Sequence, residues 1–252
     1  MPLMDLSPPM IAAIALVLVC GGFIKGAIGI GMPVFVVSVL GGFLTPHTII
    51  AILLVPIVVA NLWQCLSSDH LRWALARFWP LILAFGIGTV IGAQLLVSVP
   101  TRGLFVLLGC VVLGFCLTSW LNPHLHLPSQ YERGAGPGVG LFAGVLNGVS
   151  LINGPPLILY LVALKLDRER FIGAYGLIAL CGSIPLSASL IGLGIVSVPQ
   201  LWGSTLALIP TLFGIAVGQW LRQRIDQARF RQLLLVALVF LGTNLLRRGL
   251  MG

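Results

Sequence analysis

Residues 23–33 read Phe23-Ile24-Lys25-Gly26-Ala27-Ile28-Gly29-Ile30-Gly31-Met32-Pro33, placing a lysine, three glycines and a proline between two apolar runs. The runs on either side, Pro9–Ile24 and Gly31–Leu44, hold sixteen and fourteen residues. A helix that crosses a bilayer needs about 20. At 1.5 Å per residue, the second run reaches only about 21 Å, roughly two-thirds of the hydrocarbon core. The pair therefore reads as a broken or re-entrant helical hairpin with residues 23–33 at its tip. Glycine permits the backbone turns that a tip needs, and proline in a first helical turn loses no required donor. Pro33 is thus expected to start the second half-helix. Its free backbone N–H groups and positive dipole end suit an anion.

A second tip follows 122 residues later: Gly144-Val145-Leu146-Asn147-Gly148-Val149-Ser150-Leu151-Ile152-Asn153-Gly154-Pro155-Pro156. At that offset Gly26 falls on Gly148, Pro33 on Pro155, Lys25 on Asn147 and Asn61 on Ser183. An offset of 126 brings Gly92 onto Gly218 and Leu104 onto Phe230. The apolar run after the second tip, Pro155–Leu164, has ten residues and is again too short to cross.

Outward from the tips, longer apolar segments run over Thr48–Leu66, Trp79–Val99 and Gly103–Leu121 in the first half. In the second half they run over Phe171–Ile195, Leu201–Leu221 and Phe230–Leu246. Between the halves lies the connector NPHLHLPSQYERGA. The sequence divides into a first transmembrane repeat over 1–121, a connector over 122–135 and a second repeat over 136–252. The fold expected is all-α: a polytopic transmembrane helical bundle of two inverted-topology repeats with broken or re-entrant glycine-rich helices.

Composition leads to the same class. Of 252 residues, 58% are hydrophobic and 8% charged, and the mean hydropathy is +1.10. A soluble domain carries about 25% charged residues. A soluble enzyme, a nucleic-acid binder and a disordered chain are excluded on that ground, despite a net charge of +8. The basic residues sit in connectors. With both termini outside and an odd number of crossings in each half, ten of them fall on the cytoplasmic side, from Arg72 and Arg77 to Arg229 and Arg231. Only Arg102, Arg247 and Arg248 fall outside, and Lys25 lies at a tip. Four crossings in each half would give eight against five. The positive-inside rule favours the odd count, which makes the halves inverted relative to each other, as in many secondary transporters.

Lys25 alone among the charged residues stands well inside an apolar region. A charge at the bilayer centre costs about 2.5–3.5 kcal/mol on insertion scales. It reads as a cation that binds an anionic substrate, or else as a snorkelling lysine beside a shallow loop. Asn147, Ser150 and Asn153 offer hydrogen bonds to substrate oxygens, or equally cap the short helix that Pro155 begins. Asn61, Gln64, Ser183, Gln94 and Gln219 lie in long segments, where bonding between helices is the expected role. All six acidic residues lie in termini or connectors. A cation carrier or carboxylate relay buries acids in the membrane, so this placement points to an anion.

Other motifs carry little. Gly26, Gly29 and Gly31 mimic a dinucleotide fingerprint, but no strand precedes them. His124 and His126 sit in the connector, where solvation is the expected state. The five cysteines lie in apolar segments without C-x-x-C spacing and read as packing residues. No nucleophile set is visible. The expectations are therefore no metal, no cofactor, no nucleic acid and no enzyme activity.

The stretches FIKGAIGIGMP and GVLNGVSLINGPPLILYL, set in two related halves, resemble the sulfite exporter TauE/SafE family of membrane transporters. Met32 stands where that family commonly has a small residue. The resemblance implies a multi-pass carrier of sulfite, sulfonates or organic anions in the bacterial inner membrane. The substrate site expected comprises Lys25, Gly26, Gly29, Gly31, Pro33, Asn147, Ser150, Asn153, Gly154 and Pro155. A coupling ion and self-association are compatible with the sequence, and a non-transporting scaffold or assembly protein is the alternative reading.

Overall fold

The computed structural model describes residues 7–121, 127–152, 154–222, 224 and 227–251. Among them the first half forms α1 (Pro8–Ile28), α2 (Met32–Leu40), α3 (Pro46–Leu66), α4 (Leu71–Ser98) and α5 (Thr101–Leu121). The second half forms α6 (Ser129–Ser150), α7 (Gly154–Ala163), α8 (Arg168–Gly192), α9 (Val198–Leu206), α10 (Leu208–Leu221) and α11 (Gln227–Met251). The fourth segment of the second half is thus divided at Ala207, which the apolar pattern did not foretell. Among the described residues, six stretches are long and apolar enough to cross a membrane: α1, α3, α4, Thr101–Thr118 of α5, Glu169–Gly192 of α8, and α9 with α10 taken together. The chain is an integral, multi-pass membrane protein.

Two compact units account for the packing. One gathers Met1–Ile57, Pro100–Cys116 and Ile195–Gly252; the other gathers Val58–Val99 and Leu117–Gly194. Each draws on both halves, so the halves divide the sequence and the units divide the packing.

In the first unit α1 lies along α10, and α2 packs on α1 and α11. Gly22 and Gly26 of α1 face Gly214 and Gly218 of α10. A Cβ on Gly22 would strike the carbonyl oxygen of Thr211, and one on Gly26 that of Ile215. One on Gly214 would strike that of Val19, and one on Gly218 that of Phe23. Between apolar membrane helices no hydrophobic force operates, so close approach and dispersion must hold the pair, and small residues make that approach.

In the second unit α4 lies along α6 and against α8. Here Gly144 meets the carbonyl of Phe85, Gly148 that of Thr89, Gly88 that of Leu141 and Gly92 that of Val145. These contacts are the first unit's, shifted by 122 residues on α1 and α6 and by 126 on α4 and α10. One helix interlock occurs twice.

Proline inside α3 shows how the membrane's demand for satisfied backbone is met. Pro56 has no N–H, which leaves the Ile52 carbonyl without its helical donor. The hydroxyl of Ser204 on α9 donates to that carbonyl at 2.9 Å and accepts from the Val55 N–H at 3.0 Å. A neighbouring serine thus re-satisfies the broken ladder.

Candidate functional site

The first tip belongs to the first unit. α1 ends at Ile28, and the N–H of Gly29 closes its last turn on the Lys25 carbonyl at 2.7 Å. Gly29 and Gly31 hold φ of 91° and 95°, the left-handed region that glycine enters without steric cost. α2 then starts at Met32 with Pro33 in its first turn, and the Phe35 N–H donates to the Gly31 carbonyl at 3.0 Å. Lys25 is buried, 7% exposed, in the last turn of α1. The negative end of a helix dipole favours a cation there. Gly26 is held against α10 by the interlock, and Met32 is fully buried behind the turn. A helix C-terminus carrying a lysine and a helix N-terminus opened by a proline therefore stand three residues apart in sequence.

The second tip, in the second unit, repeats this geometry at an offset of 122. α6 ends at Ser150, and the Leu151 N–H closes on the Asn147 carbonyl at 2.8 Å. Leu151 takes the place of Gly29 and has φ 61°. A leucine there costs about 1–2 kcal/mol. Its side chain is 3% exposed, and the dispersion contacts of that close packing offset the strain. Asn147 takes the place of Lys25. It is buried, and its Nδ2 donates to Thr89 Oγ1 at 3.2 Å. Thr89 in turn donates to the Phe85 carbonyl at 2.8 Å. The Ser150 hydroxyl donates to the Leu146 carbonyl at 2.6 Å and accepts from the Ile152 N–H at 3.2 Å, so it binds the turn itself. Gly154 and Pro155 open α7. Asn153 lies outside the described residues, as do His124 and His126.

The structure thus collects Lys25, Gly26, Gly29, Gly31 and Pro33 at one tip, and Asn147, Ser150, Gly154 and Pro155 at another, in different units. Of the polar residues in long segments, Asn61 donates to Ser183 at 3.5 Å and Gln64 donates to the Ile172 carbonyl at 2.9 Å, both linking α3 to α8. Gln94 and Gln219 are exposed.

Thr89, the Asn147 partner, was not foreseen; a threonine amid apolar residues carries no mark of its partner. The interlocking glycines were also missed, although G-x-x-x-G spacing over 22–26, 88–92, 144–148 and 214–218 was there to read. So was the cluster of Arg77, Glu132 and Tyr160, whose members lie up to 83 residues apart in sequence.

Among the described residues, eleven helices and no strand, with six stretches long and apolar enough to span, define a membrane protein of the polytopic helical class. Its sequence matches the family model described as Sulfite exporter TauE/SafE over residues 14–245. The chain belongs to that family, which is one of membrane transporters. No curated protein and no solved structure matches it.

Proposed function

We propose that the protein is a secondary transporter of a small sulfur-containing or organic anion, sulfite and sulfonates being the favoured class. The observation that carries this reading is Lys25: a buried cation beside a helix break whose next helix opens its N–H groups within a few residues. The second tip supplies Asn147, a buried amide at the corresponding position.

In this reading the chain comprises inverted repeats over 1–121 and 136–252, joined by 122–135. Substrate binds near the membrane midplane at the glycine-rich helix breaks. Lys25 neutralises its charge, and the N–H groups after Gly31 and around Gly154 hold its oxygens. Gly26, Gly29 and Gly148 keep side chains out of the way; Pro33 and Pro155 fix the helix starts. Ser150 and Asn153 shape the second turn. The repeated cap at residues 25–29 and 147–151, and the repeated interlock, support the duplication. So does the contact of Asn61 with its own counterpart Ser183, since a two-fold arrangement brings equivalent residues together. Alternating access follows from one repeat rocking against the other, driven by a coupling ion. The setting is a bacterial inner membrane with the connectors bearing Arg72, Arg133 and Arg170 in the cytoplasm, as the positive-inside rule requires.

Thermal unfolding of the purified protein with sulfite, sulfate, a sulfonate and a carboxylate tests the reading. A ligand of the folded state raises the midpoint. A rise with one of these anions in the wild type, reduced in Lys25→Ala, is expected. No shift with any of them would favour a non-transporting scaffold.

A further inference from the structure

Within the second unit lies a cavity of about 510 Å³, walled by the turn Ala76–Leu81 of α4, by Glu132, Arg133 and Pro137 of α6 and by Tyr160 of α7. Arg77 grips Glu132 in a two-pronged ion pair, Nε to Oε1 at 2.6 Å and Nη2 to Oε2 at 2.8 Å. Tyr160 donates its hydroxyl to the Glu132 carbonyl at 3.2 Å. A Cβ on Gly136 would stand 3.1 Å from that hydroxyl oxygen, so the glycine leaves the tyrosine its place.

The same location in the first unit is apolar. The offsets that superpose the interlocks carry Arg77 onto Gly203, Pro80 onto Leu206, Leu81 onto Ala207, Arg133 onto Ile11, Gly136 onto Ile14 and Pro137 onto Ala15. Those six counterparts line a hollow of about 250 Å³ in the first unit. The fold builds this hollow twice and needs no charge to do so. The ion pair is open to solvent, its side chains 33% and 15% exposed, and such pairs contribute about 0–1 kcal/mol to stability. The charges of the second hollow are an addition to that shared framework.

The lining states which ligand. Two arginines and one glutamate line the cavity, so the wall carries one net positive charge. A guanidinium fork that holds a carboxylate in two-pronged fashion accepts any oxyanion of similar spread. Phe78, Pro80 and Pro137 add an apolar wall, and the volume lies within the range of small-molecule pockets. We propose that this cavity is a second anion site, a vestibule that takes a small organic monoanion whose acid group displaces Glu132 from Arg77. Arg133 supplies attraction, and the carbon tail rests on the proline wall. This rests on the transporter reading only for its purpose, the delivery of substrate toward the tips.

Calorimetric titration of the full-length protein in detergent with propane-1-sulfonate, against chloride as control, tests it. Removing the internal competitor in Glu132→Gln is expected to tighten binding about tenfold, because the anion no longer has to displace a carboxylate from the Arg77 fork. Arg133→Gln, at an exposed position, is expected to weaken it severalfold. Lys25→Ala is expected to retain the vestibule's heat of binding. Unchanged or weaker binding in Glu132→Gln would overturn the proposal, as would loss of all binding in Lys25→Ala. Should Glu132→Gln not fold, unchanged affinity in Arg133→Gln overturns it alone. Absence of flux in the wild type would sink the transporter reading and leave the vestibule standing.

Discussion

Asn61 donates from Nδ2 to the hydroxyl of Ser183 over 3.5 Å, and the two residues are each other's counterparts at the 122-residue offset. Ser183 keeps its own proton for the Ala179 carbonyl at 2.8 Å, so it is free to accept. If the contact joins equivalent positions about a two-fold, the partners are interchangeable. The exchanged variant, Asn61→Ser with Ser183→Asn, is expected to unfold within about 0.5 kcal/mol of the wild type. Asn61→Leu is expected to lose about 1 kcal/mol, typical of a bond between membrane helices. Thermal unfolding in detergent checks both. A swap as damaging as the leucine variant would argue against equivalence.

Ser204 and Pro56 make a second coupled pair. Ser204→Ala strands the Ile52 carbonyl and is expected to cost about 1–3 kcal/mol, the penalty of a buried unsatisfied group. In a Pro56→Ala background the chain regains an N–H for that carbonyl, and the same serine change is expected to cost about 1 kcal/mol less. A double-mutant cycle on unfolding midpoints measures the difference; strict additivity would contradict the account.

The interlocks predict which glycines matter. A Cβ on Gly148 would collide with the Thr89 carbonyl and the Ala93 amide, whereas one on Gly86, on the same α4 helix that Gly148 packs against, meets nothing within 4 Å. Gly148→Ala is expected to destabilise by about 1–3 kcal/mol through forced separation of α4 and α6. Gly86→Ala is expected to be neutral or stabilising, since alanine has the higher helix propensity. Yield and monodispersity after purification, with unfolding midpoints, separate the two.

Much of this architecture could be read from sequence where the signal is local. Pro33 and Pro155 mark helix starts by chemistry each carries alone, and Gly29 and Gly31 mark the turn between helices because their φ values suit only glycine well. The matching conformation at Leu151 gave no such mark; it is held by burial, which depends on the finished fold. Pairing was equally hidden. That α4 lies on α6, and α1 on α10, requires knowing which of many similar apolar helices meet, and uniform hydrophobicity does not say. Ser204 meets Ile52 across 152 residues, and a lone serine does not name a carbonyl that far away. Lys25 stood out in sequence because a charge in an apolar run is expensive wherever the run ends up.

The central claim is that Lys25 binds the transported anion, and anion flux into proteoliposomes tests it most directly. Labelled sulfite or sulfonate uptake would be measured for the wild type, Lys25→Arg and Lys25→Ala, each reconstituted at equal density with its unfolding midpoint recorded. The account predicts saturable wild-type flux, partial activity in Lys25→Arg and loss of at least about tenfold in Lys25→Ala, since one charge-assisted bond to a desolvated anion is worth about 1.5–3 kcal/mol. A folded Lys25→Ala protein that transports at the wild-type rate would contradict it.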